Sequence, residues 1–200
     1  MTKIAPKTPS ALHLKKRQAL LDIALNCFIQ NGLQPTSVND IIQNAGIAKG
    51  TFYHYFSSKE ALILELRAEY MQSFFQVIET EIAQLPEDAW NQKLHAWFTG
   101  SAKHFAAHQD AHNALFHQYH HVEDTQDRQK IIDHLTKFLT QGIHAKVWQL
   151  ESPELAAKLI YHGMHLVLDE AYEGDDAALQ LTTDKLYRLF QAMLQPADLP

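Results

Sequence analysis

Between Lys49 and Tyr55 the chain gathers a cation, a hydroxyl, two phenols and an imidazole: Lys49, Thr51, Tyr53, His54 and Tyr55, with Gly50 among them. Such side chains donate hydrogen bonds to phosphate oxygens and base edges, and a residue without a side chain lets backbone approach a partner closely. Ser37 and Lys59 flank the run where the pattern starts helices. A helix start offers unpaired N–H groups to an anion. This set is suited to recognising nucleic acid rather than to making or breaking bonds.

A second set lies further on. The chain holds thirteen histidines, and His104, His108 and His112 recur at i, i+4 and i+8, so one continuous helix would stack them on one side. Imidazoles at that spacing can share an ion. Here no cysteine joins them, and carboxylates are sparse before Glu123 and Asp124, so neither a metal nor another cofactor is expected. At 100° per residue His108 and His112 fall near the Trp90, Leu94, Trp97 and Phe105 direction. Polar groups beside an apolar wall suit a small-molecule pocket, with His108, His112 and Tyr119 as ligand contacts and Trp97 and Phe105 as walls. A filled helical core explains the same aromatics equally well. No Gly-x-Ser-x-Gly, phosphate loop or His-Glu-x-x-His occurs, so no catalytic residue is assigned and an enzyme is not expected.

The elements that must position these residues read as helices throughout, with no alternation long enough for a strand. Residues 1–9 contain two prolines and no apolar repeat, and are expected as a basic arm. Ser10 caps a first helix to Gln30, with Leu14, Leu21, Leu25 and Phe28 as its stripe and Asn31-Gly32 as its end. Ser37 and Asp40 form a capping-box pattern for a second helix, Gly46 allows the turn, and a third helix spans about Ala48 to Phe56. On that helix Phe52 and Phe56 share the buried face. Ser57 with Glu60 marks a fourth helix towards Gln84. Helices follow from Glu87-Asp88, over Asp110 to His121, from Asp124 or Thr125 to Trp148, from Ser152-Pro153-Glu154 to Tyr172, and over Asp175 to Leu194. The expectation is an all-α fold of about nine helices, with the DNA-reading domain at 10–62, its motif at about 37–56, and a helical body at 63–200.

Two hundred residues with 46% hydrophobic content fit one large domain or two small ones. No apolar run approaches the roughly 18 residues of a membrane span, and the single cysteine, Cys27, agrees with a reducing cytoplasm. Residues 1–60 hold seven Lys/Arg against three acids, +4, which leaves −10 of the total −6 for residues 61–200. A basic head on an acidic body suits a protein that grips phosphates at one end.

The stretch from Arg17 through Leu66, with ALLDIALNCFIQNG followed by TSVNDIIQNAGIAKGTFYHYFSSKEAL, resembles the DNA-binding domain of the TetR family of bacterial transcriptional regulators. Ile42 stands where that family often has alanine and Phe52 where it often has leucine, and both keep the face apolar. The resemblance implies DNA contacts at Ser37, Lys49, Thr51, Tyr53, His54, Tyr55 and Lys59, to which the residues' own chemistry adds Gly50 as a point of close approach. It also implies a homodimeric, cytoplasmic repressor on a palindromic double-stranded operator, released by a small organic effector held in the C-terminal half. The last two helices repeat apolar residues at three- and four-residue spacing, and Leu159, Gly163, Leu166, Leu186 and Phe190 are the expected dimer contacts. Packing within one chain is the alternative for that stripe. The competing functions are a ligand-independent or metal-responsive DNA-binding regulator and a helical enzyme.

Overall fold

The computed structural model describes residues 10–117, 122–171 and 175–196. Local capping chemistry sets most element starts. Ser10 Oγ accepts from the His13 amide at 3.2 Å and opens α1 (Ala11–Asn31), which Gly32 closes at φ 86°. Ser37 and Asp40 form a reciprocal capping box at the start of α2 (Val38–Ala45), and Gly46 ends it in the left-handed conformation, φ 62°. That turn delivers α3 (Lys49–Tyr55). The fourth helix, α4 (Lys59–Ala83), is capped by Ser58, whose Oγ accepts from the Ala61 amide at 3.1 Å, so the expected Ser57 box is displaced by one residue.

After α5 (Trp90–Ala107), His108 leaves helical geometry, and a short α6 (Gln109–His112) runs into a π-helical turn, Asn113–His117. The helix expected over Asp110 to His121 is therefore partly π-helical, and its end lies outside the described residues. Next come α7 (Val122–His144), α8 (Pro153–Ala171) and α9 (Asp176–Met193). Ser152 Oγ and Asp175 Oδ1 accept amide hydrogen bonds at the starts of α8 and α9. The described chain is thus all-α apart from one ladder, in which β1 (Trp148–Gln149) pairs antiparallel with β2 (Gln195–Pro196). Two residues per strand are too few to carry an alternating pattern, which is why none was read. Among the described residues no helix is long and apolar enough to cross a membrane.

The described residues form two compact units, 10–70 with 110–117, and 71–109 with 122–196. The first therefore takes in α4 as far as Tyr70, and the stretch from Asp110, beyond the expected 10–62. Its core is Leu20, Leu21, Ala24, Phe28, Leu33, Ile41, Phe52, Phe56, Leu62, Ile63, Leu66, Ala114 and Leu115. Leu14, expected in the stripe of α1, is 53% exposed, and burial along that helix begins at Leu20. The π turn places the Leu115 carbonyl against buried Arg67, which donates to it from Nε at 3.0 Å and Nη2 at 2.6 Å.

In the second unit α7 packs on α8, α5 on α9, and α8 on α9. Its aromatics pack mainly against one another. Phe74 meets Trp97 edge-on at 6.4 Å, and Trp90, Phe138 and Trp148 form a second group with centroids 5.6 to 6.2 Å apart. A Cβ on Gly142 would stand 2.2 Å from the Trp148 ring, so that glycine is required by the indole lying against it. Trp148 Nε1 donates to the Leu139 carbonyl at 3.1 Å.

Candidate nucleic-acid interface

Seven residues make two turns of α3, and its two faces divide as the spacing predicts. Phe52 is fully buried and Phe56, just past the helix, is 3% exposed. Lys49, Gly50, Thr51, Tyr53 and His54 face solvent. Tyr55 is half-buried, packed against the first unit's core. Gly50 has no internal reason to be glycine: its φ is not positive and an added Cβ would meet nothing within 4 Å. Glycine inside a helix costs about 1 kcal/mol relative to alanine.

The two flanking residues differ from expectation. The Ser37 hydroxyl donates to Asp40 Oδ2 at 2.7 Å, while Ser37 N–H donates to the same oxygen at 2.7 Å. These bonds hold the Asp40 carboxyl below its ordinary range. The hydroxyl proton of Ser37 is thus committed within the box, and what this position offers an anion is the helix start itself. Lys59 does not project freely. Its Nζ donates to the Leu33 carbonyl at 2.5 Å and the Gln34 carbonyl at 3.4 Å, and burial lowers its pKa. It pins the loop between α1 and α2. Arg17, counted in the basic head, is ion-paired with Glu65 and lies over the Phe56 ring at 4.7 Å.

Sequence reasoning missed His13. Its ring lies 4.8 Å from that of Tyr55 and 5.6 Å from that of His54, and the latter two rings are 5.3 Å apart. No periodicity signals a contact between α1 and α3; only the tertiary arrangement does.

The expected ligand set is divided. Trp97 and Phe105 are buried in the second unit, 1% and 5% exposed. Trp97 Nε1 is buried with no hydrogen-bond partner among the described residues. His108 is exposed at the end of α5, where its Nδ1–H donates to the His104 carbonyl at 3.0 Å and its ring stacks on His104 at 4.4 Å. His112 belongs to the first unit, where its ring clusters with those of Tyr70 and Phe116 at 5.8 and 5.4 Å. The continuous helix that would have aligned His104, His108 and His112 is broken at His108, so only the first two stack. Tyr119 lies outside the described residues, as do 1–9. Buried His104 is hydrogen-bonded to Ser73 Oγ at 2.8 Å, and burial, with His108 nearby, lowers its pKa to about 4. Among the described residues no group of three His, Cys, Asp or Glu is placed to hold a metal.

The expected dimer set is divided too. Leu159 and Leu166 are 46% and 57% exposed on α8. Gly163 faces inward: a Cβ there would stand 3.2 Å from Phe190 and 3.8 Å from Leu186. Phe190 continues to Phe98 of α5 at 5.8 Å. The close approach that Gly163 permits is thus between α8 and α9 of the same chain.

The model of the bacterial regulatory proteins of the tetR family matches residues 20–66. Over 139 residues the chain is 31% identical to the HTH-type transcriptional repressor KstR2 of Mycolicibacterium smegmatis, covering 68% of this chain and 60% of that protein. The chain thus spans less than two thirds of that relative's length. The fatty acid metabolism regulator protein of Bacillus subtilis is 33% identical over 69 residues, 34% of this chain and 36% of that one. The fatty acid degradation regulator FadR of Bacillus halodurans shares the fold, with a TM-score of 0.74 at 20% identity over 92% of this chain and 96% of that one. So does the ketosteroid transcriptional regulator KstR2 of Mycobacterium tuberculosis, at 0.65 and 19% over 96% and 99%. With its capped α2, left-handed turn and two-faced α3 inside the matched segment, the chain belongs to the TetR family of bacterial regulatory proteins.

Proposed function

We propose that the protein is a homodimeric transcriptional repressor that reads a palindromic operator through α3 and is released by a small organic effector. The observation that carries the reading is the two-faced α3: it buries Phe52 and presents Lys49, Gly50, Thr51, Tyr53 and His54 in succession. The glycine at 50, with nothing inside the fold to demand it, is explained by a partner whose edge approaches the backbone. Lys49 and Tyr53 make the principal contacts, Thr51 and His54 flank them, and half-buried Tyr55 shapes the surface. Ser37 contributes through the start of α2. Lys59 orders the loop before α2 rather than contacting phosphate through its ammonium. In this reading the protein acts in the cytoplasm by binding, not by catalysis.

A reader of a palindrome is itself two-fold, with half-site centres about one helical turn, roughly 34–36 Å, apart. Exposed Leu155, Leu159 and Leu166 on α8 and Leu181, Leu189 and Met193 on α9 supply an apolar face suited to an isologous four-helix contact. Gly163, Leu186 and Phe190 support that contact from behind.

The effector reading rests on Trp97. A fully buried indole N–H with no acceptor is costly, and an oxygen on a ligand would satisfy it. Two related proteins carry names referring to ketosteroid and fatty acid, so the class that fits is a largely apolar molecule bearing a carbonyl or carboxyl oxygen. Trp97 and Phe105 of the second unit remain its candidate contacts, with His108 secondary. The test of function is a gel-shift assay on the DNA adjoining the gene, with and without such compounds. Retarded bands that the compound abolishes are expected, and binding indifferent to DNA sequence would overturn the reading.

A further inference from the structure

We propose that His13 is a positioning residue for the recognition surface: from the first turn of α1 it holds the His54 and Tyr55 rings in the arrangement that meets DNA. This rests on the DNA-binding reading above. The three rings form a closed triangle. His13 and Tyr55 are 4.8 Å apart at 43°, His13 and His54 5.6 Å at 85°, and His54 and Tyr55 5.3 Å at 72°. His13 is itself anchored, because its amide is the donor that Ser10 Oγ caps.

The need for such a brace follows from the length of α3. A seven-residue helix has few internal hydrogen bonds, and its last turn ends at Tyr55, with Phe56 already extended. His54 is exposed, and an exposed side chain that must adopt one rotamer on binding loses conformational freedom. A ring standing edge-on to His54 and packed against Tyr55 removes alternatives before DNA arrives. The brace comes from α1, a stable helix of 21 residues, not from α3 itself.

The experiment uses the full chain and two DNA duplexes, one carrying the inverted repeat beside the gene and one of equal length with scrambled half-sites. Affinities of wild type, His13→Ala, His13→Phe and His54→Ala are measured by fluorescence anisotropy across a salt series. His13→Ala is expected to lose about tenfold in operator affinity, about 1.4 kcal/mol. Its affinity for the scrambled duplex and its salt slope should stay unchanged, since no phosphate contact is removed. His13→Phe keeps a ring without the N–H donors and should bind within about twofold of wild type. In the double variant with His54→Ala the losses should be non-additive. Operator binding by His13→Ala equal to wild type overturns the proposal. So does a Phe variant as weak as the Ala variant with a salt slope shallower by about one, which would make His13 a direct phosphate contact. Additive losses overturn it as well. A wild-type protein that does not distinguish the two duplexes defeats the DNA-binding reading, and this inference with it, a result distinct from the other three.

Discussion

Lys59 shows how a side chain's partner inside the fold changes what it can do outside. Its ammonium donates to the carbonyls of Leu33 and Gln34, so Lys59→Ala removes a tie between α4 and the loop before α2. Thermal denaturation should show a loss of about 1–3 kcal/mol, and the salt slope of DNA binding should stay near wild type. A shallower slope with unchanged stability would return Lys59 to the phosphate-contact role. His104 makes the second prediction at this scale. It is neutral in the fold, with a pKa of about 4, whereas in the unfolded chain it protonates near 6.5. The unfolded state therefore binds more protons between these values. Stability is full above about pH 6.5 and declines as pH falls towards 4, by about 1–3 kcal/mol. In His104→Gln, melting temperatures followed from pH 7 to 4.5 should fall less steeply; an identical acid limb would assign it to other groups. The division of α3 into buried phenylalanines and exposed polar groups was legible from 100° per residue alone. The commitments of Ser37, Arg17 and Lys59 were only partly so. The Ser37–Asp40 box is local, but the acceptors of Lys59 lie 25 and 26 residues away and the Arg17–Glu65 pair spans 48.

Among the elements, starts were legible because caps act over three residues: Ser10, Ser37 and Ser152 cap as read, and Asp175, read as the first residue of the last helix, is its cap. A break before Asp110 was read as well, but the π turn that follows it was not, since it is held by Arg67 from a distant helix. Both glycines that matter in the second unit follow from rings brought by tertiary packing. Gly142→Ala would drive a methyl into the Trp148 ring and should destabilise by about 1–3 kcal/mol or more, read by urea denaturation. A wild-type midpoint would mean that the indole moves aside at no cost. Gly163→Leu presses on Phe190 and Leu186 of its own chain, so stability and association should fall together. It is therefore a poor probe of the dimer. Leu159→Glu with Leu166→Glu is the better one: both positions are exposed, so sedimentation should show a monomer that retains its helicity. A dimer that persists would place the interface elsewhere.

If the whole molecule joins a DNA reader to an effector-binding body, as proposed, linkage constrains the pair. A 100-fold loss of DNA affinity on effector binding requires roughly 2.7 kcal/mol of coupling, and operator DNA must weaken effector binding by the same factor. Trp97, one of three tryptophans, supplies the fluorescence readout, and Trp97→Phe should weaken the effector while leaving DNA affinity intact. An effector response unchanged in Trp97→Phe would move the site away from that indole. The all-α class and the two faces of α3 were open to the sequence because both rest on local periodicity. How the candidate ligand and dimer residues are grouped was not, because that depends on tertiary packing: which unit each joins and which way Gly163 faces. Whether α3 reads DNA is decided by anisotropy titration of wild type and Lys49→Ala onto the inverted-repeat duplex. Wild-type dissociation constants of about 10⁻⁸ M or tighter are expected at physiological salt, at least about 10³ tighter than for the scrambled duplex. Lys49→Ala, folded as judged by far-UV dichroism, is expected to lose that preference. Equal binding by wild type and Lys49→Ala, or a wild type blind to sequence, would contradict that role for α3.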